Sequence, residues 1–305
     1  MRRLVVALVA EEAAGTRALQ LLSSRGHRVL AAFTSPAGAT AARASALGVP
    51  VRDVAEVTRP QTGEWLREQR AELLLNVHAL RIVDRSVLEA PSLGAFNLHP
   101  GPLPERAGLH TPSWAIYEGS DWHGVTLHRM TSEVDGGDIA FASKFDIGPQ
   151  DTGLRVMMRC VELGVPMLER LLECAERGEA IPAAEQDRTR RRRYPSGPPE
   201  DGRVGFDRTA REVVNFVRAC DYRPFPSPWG FPSCSAEGVE LKLLSARETK
   251  IPSDSAPGTV MHAEQGAVQV AAVDEWVRIG TVELGGRAVP AAQALRAGTL
   301  LGVSG

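Results

Sequence analysis

Residues 92–104, SLGAFNLHPGPLP, contain an apolar run that ends in a cluster of prolines. Proline lacks a backbone N–H and interrupts a central strand, so the run predicts a buried strand that ends near His99. Side chains alternate along a strand, which places those of Asn97 and His99 on the same side, about 6–7 Å apart. This strand therefore carries an amide and an imidazole at the point where it leaves its sheet.

Apolar runs of strand length alternate with helical patterns ahead of this strand. Residues 4–10 and 27–35 predict strands, 15–26 and 37–48 predict helices that end at glycines, and 64–80 predicts a helix that runs into a buried strand. The β-α-β-α-β order predicts an α/β fold with a doubly wound, mostly parallel, Rossmann-like sheet. Strands that are buried on both faces should be apolar throughout, and these are.

The pattern changes beyond this strand. Segments 123–131 and 138–147 alternate polar and apolar residues and predict two strands that pair with each other, whereas 152–178 predicts a long amphipathic helix. A linker rich in Pro, Arg and Gly follows, and then short apolar runs between turn residues, as in a small β-barrel. We therefore expect three parts: a larger α/β domain over 1–185, a linker and connecting helix over 186–223, and an OB-like β-barrel over 224–305.

Composition argues against several classes of protein. The chain has 305 residues and a net charge of -2, which gives no sign of a nucleic-acid or membrane partner for the chain as a whole. The N-terminal apolar run ends at Glu11 and Glu12 after seven or eight residues, so it predicts a first strand instead of a signal peptide. The four cysteines form no C-x-x-C pair, which favours reduced thiols in a cytoplasmic protein.

Polar residues that can carry chemistry gather around the strand end. Ligands of open α/β sheets bind at the carboxyl ends of the strands, where Asn97 and His99 lie. Further along, SEVDGGDIA places Asp135 and Asp138 around a Gly-Gly turn. A carboxylate can fix the tautomer of an imidazole, and an amide can donate to a developing oxyanion. Asn97, His99 and Asp135 thus suit acyl transfer without a protein nucleophile, although each also suits an ordinary turn or strand end.

Two common types of site are not indicated. The sequence after the first strand, VAEEAAGTRAL, contains no G-x-G-x-x-G and no P-loop, which argues against a dinucleotide cofactor. His123 and His128 lie on a predicted strand, so their spacing is not that of a zinc-binding helix. We predict no metal.

Two stretches together resemble the folate-dependent formyltransferases: FNLHPGPLPERAGLHTPSWAIYEG (96–119) and HGVTLHRMTSEVDGGDI (123–139). That family's pattern is N-x-H, a Leu-Pro loop, a W-A-I-like helix, G-V-T and D-x-G-D-I, and every element is present in order. The segment 202–230, GRVGFDRTAREVVNFVRACDYRPFPSPWG, resembles the family's connector, with Phe206 where Trp is common. The remainder resembles the small C-terminal domain that many members carry.

The resemblance implies a donor, 10-formyltetrahydrofolate, and roles for particular residues. Asn97, His99 and Asp135 would be the catalytic residues. The donor would contact the segment 76–84, where His78 and Arg81 depart from the family's apolar run. The implied donor contacts are His78, Leu80, Arg81, Ile82 and Asp138. The implied acceptor contacts are Pro102, Leu103, Arg106, Gly108 and His110.

A mechanism follows from that resemblance. A neutral amine would attack the formyl carbon, and the Asn97 amide would stabilise the tetrahedral oxyanion. His99 would move a proton from the amine to the departing folate nitrogen. Asp135 would either orient His99 or take the amine proton itself, and the sequence does not separate these two roles.

The acceptor is predicted from what the chain lacks. The tRNA-dependent members of the family carry a basic insertion after the second strand, and none is present here. Residues 224–305 contain six Lys and Arg against eight Asp and Glu, a net charge of -2, whereas a tRNA-binding barrel should be positive. The run RTRRRR (188–193) is the opposing observation, and we interpret it as a solvated linker.

The loop GPLPERAG is most similar to that of the formylation domains of nonribosomal peptide synthetases and of free-standing natural-product N-formyltransferases. We therefore expect a small-molecule amine as the acceptor. Candidates are an amino acid, a hydroxylated ornithine of the kind used in siderophore assembly, a carrier-bound aminoacyl group and an amino sugar. A methionyl-tRNA formyltransferase and a formyltetrahydrofolate-hydrolysing deformylase remain the alternatives.

Overall fold

The computed structural model describes residues 2–262 and 265–302. The strands are β1 Val5–Ala10, β2 Arg28–Thr34, β3 Val51–Asp53, β4 Leu73–Val77, β5 Gly94–His99, β6 Ala107–Gly108, β7 Trp122–Arg129, β8 Ile139–Asp146, β9 Arg193–Tyr194, β10 Ser233–Ala236, β11 Val239–Pro252, β12 Val260–His262, β13 Val268–Ala271, β14 Glu275–Leu284, β15 Arg287–Pro290 and β16 Leu301–Gly302. The α-helices are α1 Glu12–Ser24, α2 Ala39–Ala46, α3 Pro60–Glu68, α4 Arg85–Leu88, α5 Thr111–Tyr117, α6 Gly153–Arg177, α7 Ala210–Cys220 and α8 Ala291–Ala294.

The packing divides the chain into two compact units. The first comprises Met1–Gly108, Gly124–Phe145 and Met158–Arg193, and the second comprises Leu109–His123, Asp146–Met157 and Tyr194–Gly305. Two segments that the sequence assigns to the α/β domain therefore belong to the second unit. Within the second unit, the ring centroids of Tyr117 on α5 and Phe216 on α7 are 5.1 Å apart. The domain boundaries at 185 and 223 stay a prediction, since packing units and domains are different divisions.

The first unit contains the doubly wound sheet that the sequence predicts. Its strand order is β3-β2-β1-β4-β5-β7-β8. The pairs among β1 to β5 are parallel, and β7 runs antiparallel to β5. The predicted strands 123–131 and 138–147 are neighbours, as expected. Strand β3 was not predicted, because its three residues are not buried and it is recognisable only by its pairing with β2.

Apolar residues cover both faces of this sheet. Alternate residues of β1 enter two separate cores: Val6 and Leu8 pack with α1 and α6, and Ala7 and Val9 pack with α3. Burial on both faces is the reason why the strand sequences are apolar throughout. Helix α6 approaches β5 closely, since a Cβ on Gly164 would lie 2.8 Å from the Leu98 side chain. This packing fixes the strand that ends in His99.

The second unit contains the predicted barrel. Its antiparallel sheet has the order β12-β13-β14-β11-β10-β16, and β15 pairs with β14. The two ends of this order meet, because Gly258 and Leu301 are joined by a backbone hydrogen bond of 2.9 Å and Thr259 forms a bridge with Leu300. The sheet is therefore a nearly closed antiparallel barrel. Within 2–262 and 265–302, no helix combines the length and apolar character needed to cross a membrane.

Candidate active site

The three predicted catalytic residues meet at the carboxyl ends of the parallel strands. Asn97 and His99 are on β5, and Asp135 lies in the turn between β7 and β8. Oδ1 of Asp135 is 3.7 Å from Nδ1 of His99. The same oxygen is 3.5 Å from Nε2 of His128 on β7, and Nδ2 of Asn97 is 3.1 Å from that nitrogen. The structure therefore brings the three side chains together around a fourth, His128.

The ring of His99 is held by a backbone carbonyl. Its Nε2 lies 2.7 Å from the carbonyl oxygen of Arg106. A carbonyl oxygen only accepts hydrogen bonds, so Nε2 carries the proton and the neutral ring has its lone pair on Nδ1. Burial lowers the pKa of His99, and the Asp135 carboxylate and the Arg106 carbonyl offset only part of that effect. The neutral ring thus presents a basic nitrogen on the side of Asp135.

Asp135 is fixed through its side chain and its backbone. Its Oδ2 accepts a hydrogen bond of 2.8 Å from the N–H of Gly108. Its φ is +55°, a left-handed conformation that Asp tolerates better than most residues. Burial alone would raise the pKa of this carboxyl, but the Gly108 amide and, when they are protonated, the His99 and His128 rings outweigh burial and hold the pKa well below its usual range. Asp135 is therefore an anion whose Oδ1 faces two imidazole rings.

Gln186 supports the turn that carries Asp135. Ala184 pairs with Ile139 through backbone hydrogen bonds of 2.8 and 2.9 Å, which brings Gln186 alongside the turn. Nε2 of the buried Gln186 side chain donates to the carbonyl of Asp135 at 2.9 Å and to that of Gly137 at 2.6 Å. A Cβ on Gly137 would collide with the carbonyl oxygen of Arg129, so the turn requires glycine there.

The arginine run continues from Gln186, and most of its residues are exposed, as expected for a solvated linker. Arg188 and Arg191 pair with Glu133 at 3.2 and 2.8 Å, and Arg190 pairs with Glu105. The Arg188 and Arg190 side chains remain largely exposed, whereas that of Arg191 is mostly covered. Two carboxylates of the first unit therefore offset part of the positive charge of this run.

The predicted donor contacts follow β4 or precede β8. The side chains of Leu80 and Ile82 are 67% and 70% exposed, and Arg81 is exposed between them. His78 is half-buried with a φ of +59°, and its Nε2 has no hydrogen-bond partner among the described residues. Burial lowers the pKa of His78 to about 4, so its ring is neutral near pH 7. Asp138 is half-buried directly before β8.

The predicted acceptor contacts divide between the two units. Pro102, Leu103, Arg106 and Gly108 lie in the first unit, and His110 lies in the second. Leu103 and the Arg106 side chain are buried, and Pro102 is half-buried. The N–H of Gly108 is committed to Asp135, which makes this residue a support of the carboxylate. His110 precedes α5 with a φ of +52°, and burial lowers its pKa.

Sequence reasoning missed three polar residues at this site: Asn76, His128 and Gln186. Asn76 Nδ2 lies 3.0 Å from Oδ1 of Asn97. The first two carried a signal, since Asn76 is a buried polar residue in the otherwise apolar strand β4 and His128 is a buried polar residue near the end of β7. Gln186 carried none, because its partners lie about fifty residues earlier in the chain.

Metal-binding and thiol chemistry find no support at this site. In the part of the chain that the structure describes, no cluster of three His, Cys, Asp or Glu side chains is arranged to hold a metal ion. The four cysteines are free, and burial raises the pKa of the Cys220 and Cys234 thiols to about 12. The chemistry available is that of an amide, a neutral imidazole and a carboxylate.

A doubly wound sheet with these groups at its strand ends is an arrangement that suits an α/β enzyme of the group-transfer class. Residues 2–172 match the family model described as formyl transferase, and residues 198–298 match the model of the formyl transferase C-terminal domain. The chain therefore belongs to the formyl transferase family, as its sequence resemblance implies.

Individual relatives agree with this assignment. The methionyl-tRNA formyltransferase of Thermotoga neapolitana is 28% identical over 294 residues, which cover 93% of this chain and 91% of that protein. HypX from Aquifex aeolicus, solved with tetrahydrofolic acid, has a TM-score of 0.68 at 21% identity; the match covers 97% of this chain and 47% of HypX. The chain thus spans about half the length of HypX.

An N-formyltransferase from Helicobacter canadensis, solved with folinic acid and dTDP-3-aminofucose, has a TM-score of 0.67 at 17% identity. The match covers 92% of this chain and 98% of that protein. At these identities the two structures show a shared fold. The two family models together cover most of the chain, which is therefore a formyl-transferring enzyme of the folate-dependent family.

Proposed function

We propose that this enzyme transfers the formyl group of 10-formyltetrahydrofolate to the amine of a small molecule. The observation that carries the proposal is the convergence of Asn97, a neutral His99 and an ionised Asp135 at the strand ends of a formyl transferase fold. These groups suit an acyl transfer in which the protein moves protons and stabilises charge but forms no covalent bond itself.

The steps follow from the hydrogen bonds already described. The lone pair of a neutral amine forms a bond to the formyl carbon, and an N–H of Asn97 stabilises the oxyanion that develops on the formyl oxygen. His99 accepts the amine proton at Nδ1, since Nε2 is committed to the Arg106 carbonyl. The same proton passes to N10 of the folate as the bond from the formyl carbon to N10 breaks. Asp135 stabilises the imidazolium between these two transfers.

The donor segment suits a flat aromatic ligand. Leu80 and Ile82 hold large apolar side chains in solvent in one short segment directly after β4, and apolar side chains that are exposed together can line the site of an aromatic ring. His78 adds a buried nitrogen without a partner in the described structure, next to the same loop. Two structural relatives were solved with a tetrahydrofolate compound, which supports a folate at this site.

A small acceptor is favoured by charge. Residues 224–305 carry a net charge of -2, and three arginines of the 188–193 run are paired with Glu105 and Glu133. Proteins that grip tRNA rely on positive side chains that are available to phosphates. An amino sugar is supported further by the Helicobacter canadensis structure, which was solved with dTDP-3-aminofucose.

The test follows the fate of an isotopically labelled formyl group. The protein is incubated with labelled 10-formyltetrahydrofolate and a panel of amino acids, hydroxyornithine, carrier-bound aminoacyl groups and nucleotide-linked amino sugars. We expect tetrahydrofolate release that depends on one class of amine, with the label on that amine. Release of labelled formate at the same rate without any amine would indicate a hydrolase and would reject the proposal.

Formylation of methionyl-tRNA is the second candidate, because methionyl-tRNA formyltransferases match over most of this chain at 26–30% identity. Binding to tRNA releases counterions, so its apparent affinity should fall steeply as salt rises. Charged initiator tRNA is therefore added to the panel at several salt concentrations. Efficient, strongly salt-dependent labelling of this tRNA, with none of any small amine, would replace the first proposal with the second.

A further inference from the structure

Asn76, Asn97 and His128 form a row across three neighbouring strands. The parallel register pairs Asn76 of β4 with Asn97 of β5, and the antiparallel register pairs Asn97 with His128 of β7. Residues that are paired in this way place their side chains next to each other on the same face of the sheet. The three polar groups are therefore brought together by strand pairing, independently of any ligand.

The His128 end of the row has a defined polarity. Nδ1 of His128 is 2.9 Å from the carbonyl oxygen of Arg129, which can only accept. The proton of the neutral ring therefore lies on Nδ1, and Nε2 has a lone pair. That lone pair accepts a hydrogen bond from Nδ2 of Asn97, 3.1 Å away.

The Asn76 end has the same polarity. Nδ2 of Asn76 is 3.3 Å from the carbonyl oxygen of Ala79, and this contact sets the orientation of the Asn76 amide. Nδ2 also donates to Oδ1 of Asn97 at 3.0 Å. If the Asn97 amide were rotated by half a turn, its Nδ2 would face Nδ2 of Asn76, so that two donors would meet. Its Oδ1 would face the lone pair on Nε2 of His128, so that two acceptors would meet. Both ends of the row therefore favour one orientation of Asn97.

We propose that Asn76 and His128 are positioning residues that hold the amide of Asn97 for catalysis. Oδ1 of Asn97 accepts a hydrogen bond from Asn76, and one N–H of Asn97 donates a hydrogen bond to His128. The second N–H of Asn97 is therefore the donor that remains for the developing oxyanion. This step rests on the proposed formyl transfer, since the oxyanion exists only in that reaction. Oriented donors that need no rearrangement during the reaction are the main source of such stabilisation.

One competing arrangement is present in the same site. Oδ1 of Asp135 lies 3.5 Å from Nε2 of His128. A proton on Nε2 would pair with this carboxylate and would remove the acceptor that Asn97 uses. A proton on Nε2 of His128 would therefore indicate an ordinary pair with Asp135, whereas a lone pair on Nε2 would indicate that His128 orients Asn97.

Nitrogen-15 NMR of the histidine rings measures the protonation of Nε2 directly, without substrate. We expect the neutral His128 ring to be the Nδ1–H tautomer, assigned by comparison with His128→Gln. The Nε2–H tautomer would overturn the proposal. Because this measurement does not involve turnover, it also decides the geometry if the enzyme proves to have another acceptor or another reaction.

Kinetics of matched variants test the consequence for catalysis. We expect His128→Leu and Asn76→Leu each to lower kcat about tenfold with little change in either KM, since they misdirect a donor that acts in the transition state. His128→Gln should recover most of the loss, because its side-chain oxygen can accept from Asn97. Leu127→Ala, a buried neighbour on the opposite face of β7, should destabilise the fold but leave kcat unchanged. Equal loss in His128→Gln and His128→Leu, or a similar loss in Leu127→Ala, would reduce His128 to a structural residue.

Discussion

Nε2 of His99 lies 2.7 Å from the carbonyl oxygen of Arg106, and this contact decides which ring nitrogen is the base. The proton on Nε2 leaves Nδ1 free to accept one, 3.7 Å from the Asp135 carboxylate. The tautomer of His99 is therefore set by the backbone carbonyl of Arg106, whereas the sequence suggested that a carboxylate would set it.

The first prediction concerns the pH dependence of His99. Burial lowers its pKa below the ordinary value of 6.5, so the neutral, basic ring persists to lower pH than in a free histidine. We expect a histidine titration below 6.5 in the free protein, with the Nε2–H tautomer above it. Turnover of the deprotonated amine should be constant near neutral pH and fall as pH drops through this lowered pKa. A titration above 6.5, or an Nδ1–H tautomer, would contradict the assignment.

The second prediction concerns Asp135→Asn. The Asp135 carboxylate raises the pKa of His99, so its removal should shift the His99 titration to lower pH. We expect kcat to fall about 100-fold, because the imidazolium formed during proton transfer loses its counter-charge. Glu133→Gln removes a charge from the same turn and serves as the matched control; it should leave both the His99 titration and kcat nearly unchanged. A shift of the His99 titration to higher pH in Asp135→Asn would reject this role.

The third prediction concerns Gln186, which no sequence motif marks. Gln186→Leu leaves the carbonyls of Asp135 and Gly137 without their buried donor, which should lower the free energy of unfolding by about 1–3 kcal/mol. We also expect kcat to fall about tenfold, since small displacements of a catalytic group are costly. Arg188→Ala removes an exposed ion pair with Glu133 and should change stability by at most about 1 kcal/mol. Unchanged kcat in Gln186→Leu would show that Asp135 is held adequately without it.

The fourth prediction concerns His78 and stability. Its pKa is about 4 in the folded protein and 6.5 in the unfolded chain, so the unfolded state binds more protons between these values. Stability should therefore be complete above pH 6.5 and fall as pH drops toward 4, with His78 contributing about 3 kcal/mol of that loss. His78→Asn, which tolerates the left-handed backbone, should lose less stability than the wild type over the same range. Parallel pH profiles of the two proteins would contradict the buried neutral ring.

The fold could be predicted from the sequence because its signals are local. Apolar runs with glycine-terminated helices between them identify β1, β2, β4 and β5, and the Gly-rich short runs identify the barrel. The two-residue spacing places Asn97 and His99 on one side of β5 for the same reason. Strand β3 has no such signal, since three partly exposed residues do not form a pattern.

The rest of the site depends on contacts between distant parts of the chain. Asn76 and His128 reach Asn97 only through the register of three strands, and Gln186 reaches Asp135 only through the pairing of Ala184 with Ile139. Composition does not encode register. The arginine run is exposed, as its basic composition suggests, whereas its ion pairs with Glu105 and Glu133 depend on chain positions that composition does not give.

The most direct test of the central claim compares wild-type and His99→Ala protein, each saturated with labelled 10-formyltetrahydrofolate, in a single turnover with the preferred amine. We predict amine-dependent transfer of the label in the wild type. We predict a loss of about 100-fold or more in His99→Ala, with unchanged donor binding and thermal unfolding. Equal rates in the two proteins, or release that does not depend on the amine, would contradict the account.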